Sequence, residues 1–410
     1  QLTSHHHRTG ATFSCQNEAA LHHLRRRPAP PDWSPCFPFL FPFLLLQFSR
    51  NQHMMADVGF VLSVLSRTDA AHVESSRRHG PSDDDNKDDD NQFQLFVFGD
   101  GFADVGNDDP KKKDKKDVTT RAWYKPYGTS DEAHGNKPTG RLSDGLVQSD
   151  FLAKILGMDE SPPAERLRGK KGVDPSGMNF AVCGAGAYIK LDEDPVPTFG
   201  EQIDSFRRLV KHDIIDRDLN GSVALVAFSG SADYAGDEFR NGEVTDVANN
   251  VTDKIAEGVH RLLDLGVEKV LVNLLPPLGC RPWFTRADNY TGGCDAGVQT
   301  ISVTHNTDLK WKLPSSMDDV LLLDMHDTFS KIIHSGTADY TDFKSKYAPC
   351  CDSVDEYGYC GQEGKRGKRK YTLCRDPDEY FFWDYYYPTQ AGWKAVMDEH
   401  EDAIKEFLDI

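Results

Sequence analysis

Four short runs of apolar, β-branched-rich residues set the strongest limit on how this chain folds. They are Gln94–Phe98 (QLFVF), Val223–Phe228 (VALVAF), Val270–Leu274 (VLVNL) and Val320–Leu323 (VLLL). None alternates with polar residues as a half-exposed strand must, so each reads as a strand buried on both faces of a parallel sheet. Between the second and third runs, Val247, Val251, Ile255, Val259, Leu262 and Leu263 recur at three- and four-residue spacing and stop at Gly266. That is the pattern of an amphipathic helix with a glycine stop, and strand, helix, strand in this order make a βαβ crossover. The fold class expected is α/β: a three-layer, doubly wound α/β/α sandwich on a central parallel sheet, with ligands outside the carboxyl ends of its strands.

Residues 1–92 do not share this patterning. His5–His7, Arg25–Arg27, a proline-rich stretch and the acidic run 83–90 show no sustained period, so the expectation is a disordered or targeting tail before one domain spanning 93–410. The apolar stretch 36–46 (CFPFLFPFLLL) follows an arginine cluster and resembles a secretory leader, but it contains two prolines and is too short to span a bilayer. Two readings of residues 1–53 stay open: a leader, or upstream sequence foreign to the protein, the first methionine being Met54. The lysine run Lys111–Lys116 reads as a solvated loop. With 47 basic against 65 acidic side chains and a formal charge of −18, a broad phosphate-binding surface is excluded and no nucleic-acid partner is expected.

Cysteine usage speaks to compartment. Cys280, Cys294, Cys350, Cys351, Cys360 and Cys374 crowd the last third, and three glycosylation sequons start at Asn220, Asn250 and Asn289, which favours an oxidising, extracellular setting. No pair of CxxC units at zinc spacing occurs, so neither a metal nor a cofactor is expected. Cys280 with Cys294 is the natural local bridge. The other four allow three pairings, of which Cys350 with its neighbour Cys351 is strained, leaving two. Cys183 stands apart as a free thiol.

The first strand runs straight into Phe98-Gly99-Asp100-Gly101-Phe102-Ala103-Asp104-Val105-Gly106-Asn107. Further blocks follow in order: Gly140-Arg141-Leu142-Ser143-Asp144-Gly145, Gly177-Met178-Asn179-Phe180-Ala181 through Gly186, Leu275 to Cys280, His305-Asn306, and Phe381-Phe382-Trp383-Asp384 through Pro388-Thr389. This set resembles the plant-type GDSL esterase/lipases of the SGNH hydrolase superfamily, over the whole span from Phe93 to Ile410. The resemblance implies a serine that attacks an ester carbonyl, a histidine three residues after an aspartate as its base, and an oxyanion hole built from a glycine amide and an asparagine side chain.

Carried over position by position, the resemblance places Gly101 at the serine, Cys183 at the oxyanion glycine, Ala232 at the asparagine and Tyr387 at the histidine. Only Asp384 of the catalytic set is retained. Gly101 offers no nucleophile, and Tyr387, a phenol at neutral pH with a reference pKa near ~10, is a poor general base. Ala232 lacks a donor whose loss costs about 10² to 10³ in rate, and the Cys183 side chain crowds the hole. The flanking residues, among them Gly99, Asp100, Asp104, Gly106, Asn107, Asn179, Gly186, Asp233 and Pro388, keep the family pattern. Undirected decay would have struck them too, so natural loss of hydrolysis on a retained scaffold, or deliberate inactivation, fits better.

Other residues offer no rescue. Cys183 has no histidine in the motif blocks to activate it, Ser143 reads as a loop hydrogen bonder, His305 as a packing residue, and Tyr385–Tyr387 as rings filling the vacated cleft. The expected function is therefore a secreted, disulfide-bonded family member without ester hydrolase activity, a pseudoenzyme binding an acyl-ester or acylated-glycan ligand or a partner protein. Two alternatives stay open: an active carboxylic-ester hydrolase of non-standard arrangement, and a structural secreted glycoprotein. No transmembrane segment is expected, and the oligomeric state is left open.

Overall fold

The computed structural model describes residues 93–109, 120–169, 173–190, 196–234, 244–334, 340, 342–356 and 358–410. The tail expected over 1–92 and the lysine run Lys111–Lys116 lie outside the described residues. Five parallel strands form the central sheet: β1 (Gln94–Gly99), β2 (Gly177–Asn179), β3 (Ser222–Ala227), β4 (Lys269–Asn273) and β5 (Val320–Leu323), in the order β2-β1-β3-β4-β5. All four apolar runs are therefore strands of one parallel sheet. The sequence reading missed β2, which is three residues long, opens on glycine and lies inside a motif block. Its partners are Leu95, Phe96 and Val97 of β1.

Alternation along β1 divides the core into two layers. Leu95 and Val97 point to one side, with Val223 and Leu225 of β3, and are covered by α1 (Gln148–Ile155), α6 (Met325–His334), α7 (Gln390–Asp398) and α8 (Glu401–Leu408). Phe96 and Phe98 point to the other, under α2 (Phe199–Lys211), α3 (Val244–Asp264) and α5 (Ala296–Lys312). The short α4 (Pro282–Thr285) follows β4. The expected crossover helix is α3, which buries Val247, Val251, Ile255, Val259 and Leu262, and the chain turns at Gly266 with φ +99°. Because β2 and β3 flank β1 on opposite sides, the chain reverses direction of travel across the sheet at β1, and the loops after β1 and β3 frame the crevice where such sheets bind ligands.

The last third is held differently. Two small ribbons, β6 (Ser345–Pro349) with β9 (Tyr380–Phe382) and β7 (Cys351–Ser353) with β8 (Tyr371–Leu373), replace a hydrophobic core of their own. Cys280–Cys294 closes the loop after β4, and Cys350–Cys374 and Cys351–Cys360 pin the ribbons. The first is the expected local bridge, and the others are one of the two pairings left open. Cys183 lies outside these bridges and is buried. Thiol titration should accordingly find a single reactive group among the seven cysteines from Cys183 onward, and only after unfolding without reductant. Further thiols in that region would contradict the three bridges.

Candidate active-site cleft

The loop after β1 is bound down by its own carboxylates. Gly99 has φ +133°, and a Cβ there would run into the Ala227 carbonyl of β3, so glycine lets the two strands approach at the crevice. Asp100 accepts from the amide of Phe102 at 3.1 Å and from the amide and hydroxyl of Ser229 at 2.8 and 2.6 Å. Asp104 accepts from the amides of Gly106, Asn107 and Cys183 at 2.7, 2.8 and 2.9 Å. Asn107 donates to the carbonyls of Asn179 and Ala181 at 2.8 and 2.9 Å. These bonds tie the loops after β1, β2 and β3 into one frame, and Asp233 adds to it by accepting from the amides of Ala187, Tyr188 and Ile189. The flanking motif residues thus work as scaffold.

Within this frame Gly101, Cys183, Asp384 and Tyr387 come together. Asp384 Oδ1 accepts from the amides of Tyr386 and Tyr387 at 2.9 and 3.0 Å, and its Oδ2 accepts from the Tyr127 hydroxyl at 2.8 Å. The Tyr387 ring packs edge-on against Phe102 with centroids 6.1 Å apart, and its hydroxyl lies 3.9 Å from Cys183 Sγ. A Cβ built on Gly101 would stand 2.7 Å from Tyr387 Oη, 2.9 Å from its Cε1 and 2.7 Å from Leu142 Cδ1. Residue 101 therefore lacks a side chain and also the space for one. Ala232 is buried on the turn after β3, three residues beyond Ser229.

Tyr385–Tyr387 do not all fill the cleft as expected from sequence. Only Tyr387 enters it. Tyr385 turns to the disulfide-bonded ribbon, donating to Asp352 Oδ1 at 2.6 Å, and Tyr386 packs on Trp283. Ser143 does form a loop hydrogen bond, to the Pro388 carbonyl at 3.2 Å. Two arginines went unrecognised. Arg281 donates to the Ser229 carbonyl and, at 3.1 Å, to Ser231 Oγ, and Arg121 places its charge beside Asp384, Tyr127 and Tyr387. Arg121 follows a lysine run and stands in no motif, so nothing local to it separates it from a loop cation.

Burial dominates the titration of the frame. It pushes Asp100 and Asp104 up to about 6, against the bonds they accept, and raises Asp384 against the opposing pull of Arg121 and the Tyr127 hydroxyl. His305, on α5, is a packing residue as expected. It pairs with the Tyr234 hydroxyl through Nδ1 at 2.7 Å, and its buried Nε2 has no partner among the described residues. Burial drops its pKa to about 3.

The signs oppose. His305, depressed in the fold, contributes stability that is lost as pH falls from about 6.5 toward 3, whereas raised Asp100 and Asp104 contribute stability present below about 4 and lost as pH rises through 6. His305→Gln removes the first contribution, so its unfolding free energy relative to the parent should fall more steeply as pH rises from 4 to 6.5. Parallel urea-denaturation curves for the two proteins would refute this.

Among the described residues, Cys280, Cys294 and His334 group at metal-ligand distances, but the two sulfurs are bonded to each other and are not thiolate ligands. No described helix is long and apolar enough to cross a membrane.

The sequence profile of the GDSL-like lipase/acylhydrolases matches residues 95–399, which takes in every strand, loop and helix that frames this cleft. The chain belongs to the GDSL lipase/acylhydrolase family. Its similarity extends to individual members in Arabidopsis thaliana. It is 33% identical to GDSL esterase/lipase At5g03610 over 77% of this chain and 88% of the relative. It is 35% identical to GDSL esterase/lipase At2g36325 over 74% and 85%. The similarity to GDSL esterase/lipase 6 is 24% over 76% and 88%. The family acts on ester bonds, and the five-stranded parallel sheet with helices on both faces is the architecture expected of its SGNH fold.

Proposed function

We propose that this GDSL family member binds in the cleft without hydrolysing esters. The observation that carries the reading is the space at residue 101, occupied by the Tyr387 hydroxyl 2.7 Å from where a Cβ would stand. With Gly101 at the nucleophile position and Tyr387 at the base position, the pair excludes both the attacking hydroxyl and the imidazole that activates it. Cys183 and Ala232, at the oxyanion glycine and asparagine positions, remove further stabilisation. Asp384 remains as a structural acceptor for the turn it occupies. The ligand class that fits the lineage is an acyl ester or acylated glycan. Three disulfides, with exposed Asn220, Asn250 and Asn289 at the sequons, favour a secreted glycoprotein. Turnover of p-nitrophenyl esters and labelling by a fluorophosphonate test the reading, because an activated serine would give both.

A further inference from the structure

Arg121 keeps 5% of its surface exposed. Its Nε is enclosed with no hydrogen-bond partner, and no described residue accepts a bond from the rest of its guanidinium. The group lies over the Tyr359 ring, 5.7 Å from the centroid, and its charge faces Tyr127, Asp384, Tyr387 and Cys183. Asp384 balances that charge through space but makes no hydrogen bond to it. Its Oδ1 is taken by two amides and its Oδ2 by Tyr127. The enclosed Nε is out of reach of a ligand, but the two Nη nitrogens are not enclosed in the same way and make no bond to a described residue, so their N–H donors are left for an acceptor from outside.

We infer that Arg121 makes the cleft a receptor for a free carboxylate, the acid rather than the ester. A carboxylate presents two parallel acceptors and one charge to the planar fork, whereas a neutral ester carbonyl presents one acceptor and no charge. A phosphate, with up to two charges, is repelled more strongly by Asp384. The inference rests on the reading of a cleft that binds without turnover, and assigns it the acid in place of the acyl ester that the lineage suggests.

Calorimetry on the full chain tests it, with acetate, octanoate, methyl octanoate and inorganic phosphate as probes. At least one acid should bind, methyl octanoate and phosphate should bind at least tenfold more weakly, and Arg121→Met should weaken acid binding at least tenfold, with Arg121→Lys between. If Arg121→Met folds poorly because Asp384 is left alone, Arg121→Met/Asp384→Asn removes both charges and must show the same loss. No heat with either acid, equal affinity for the methyl ester, preference for phosphate, or Arg121-independent binding would each overturn the inference. Ester turnover by the parent would overturn the inactive reading instead, and Arg121-dependent acid binding would still support the carboxylate site.

Discussion

Purified parent protein should show no fluorophosphonate labelling and no p-nitrophenyl acetate turnover above buffer, and Gly101→Ser alone should leave both results unchanged. The reason is steric before it is chemical. The new Cβ would meet the Tyr387 hydroxyl and Leu142 Cδ1, each at 2.7 Å, and Tyr387 has little freedom to yield. It is 2% exposed, its amide is held by Asp384, and its carbonyl accepts from the Trp383 amide at 2.8 Å. Overpacking of this kind costs about 1 to 3 kcal/mol. Replacing Tyr387 with histidine shortens the ring and frees that space, so Gly101→Ser/Tyr387→His should be more stable than the two single changes predict, with a coupling of about 1 kcal/mol or more.

Activity should appear in the same order. The double variant recovers nucleophile and base, with Asp384 three residues before the new imidazole to set its tautomer. Adding Cys183→Gly and Ala232→Asn restores the oxyanion donors, worth about 10² to 10³ in rate, so the quadruple variant should be the first with readily measured turnover and probe labelling. Turnover by the parent comparable with that of the quadruple variant would sink the inactive reading. A folded but inert quadruple variant would show a cleft remodelled beyond these four positions.

What could be read in advance follows from the range of the interactions involved. The sheet was legible because burial on both faces writes itself into consecutive residues, as in Val223–Phe228. The crossover helix was legible because its buried stripe repeats every third or fourth residue. β2 was not, since three residues beginning with glycine carry no period, and its pairing with β1 is supplied by the neighbouring strand. In the cleft, placing Gly101 at the nucleophile position and Tyr387 at the base position is an expectation from residue type and motif order alone. Their mutual exclusion was not legible, because it depends on two side-chain positions 286 residues apart that meet only in the fold. The same holds for Arg121 and Tyr127 against Asp384, and for Tyr385, whose partner Asp352 lies on the β7–β8 ribbon 33 residues earlier in the chain.

The largest loss of stability from one substitution outside the cleft should come from Asp150→Ala. Asp150, in the first turn of α1, is fully buried and accepts from Arg141 Nε and Nη2 at 2.9 and 2.7 Å and from the amides of Val147 and Ser161 at 2.9 and 3.1 Å. Arg141, in the Gly140–Gly145 block, thereby clamps that loop to the helix behind the turn at Gly101. Removing the carboxylate strands the amides of Val147 and Ser161 and leaves the buried guanidinium only the half-exposed Glu160 and the Thr139 hydroxyl, each at 3.2 Å, so the loss should fall at the lower end of the about 3 to 5 kcal/mol that breaking a buried pair costs. The charge pair itself contributes far less than that figure, because both ions were desolvated to form it, so Arg141→Met/Asp150→Leu should recover much of the loss. Burial pushes the Asp150 carboxyl up, but Arg141 and the two amides more than offset it and hold it below the usual carboxylate range. Its contribution is therefore complete above the unfolded value of about 4 and is lost only as pH falls below that. Urea denaturation at pH 7 and pH 3 should show the gap between parent and Asp150→Ala narrowing at the lower pH. A gap that widens on acidification would mean that the pair is not what holds α1 in place.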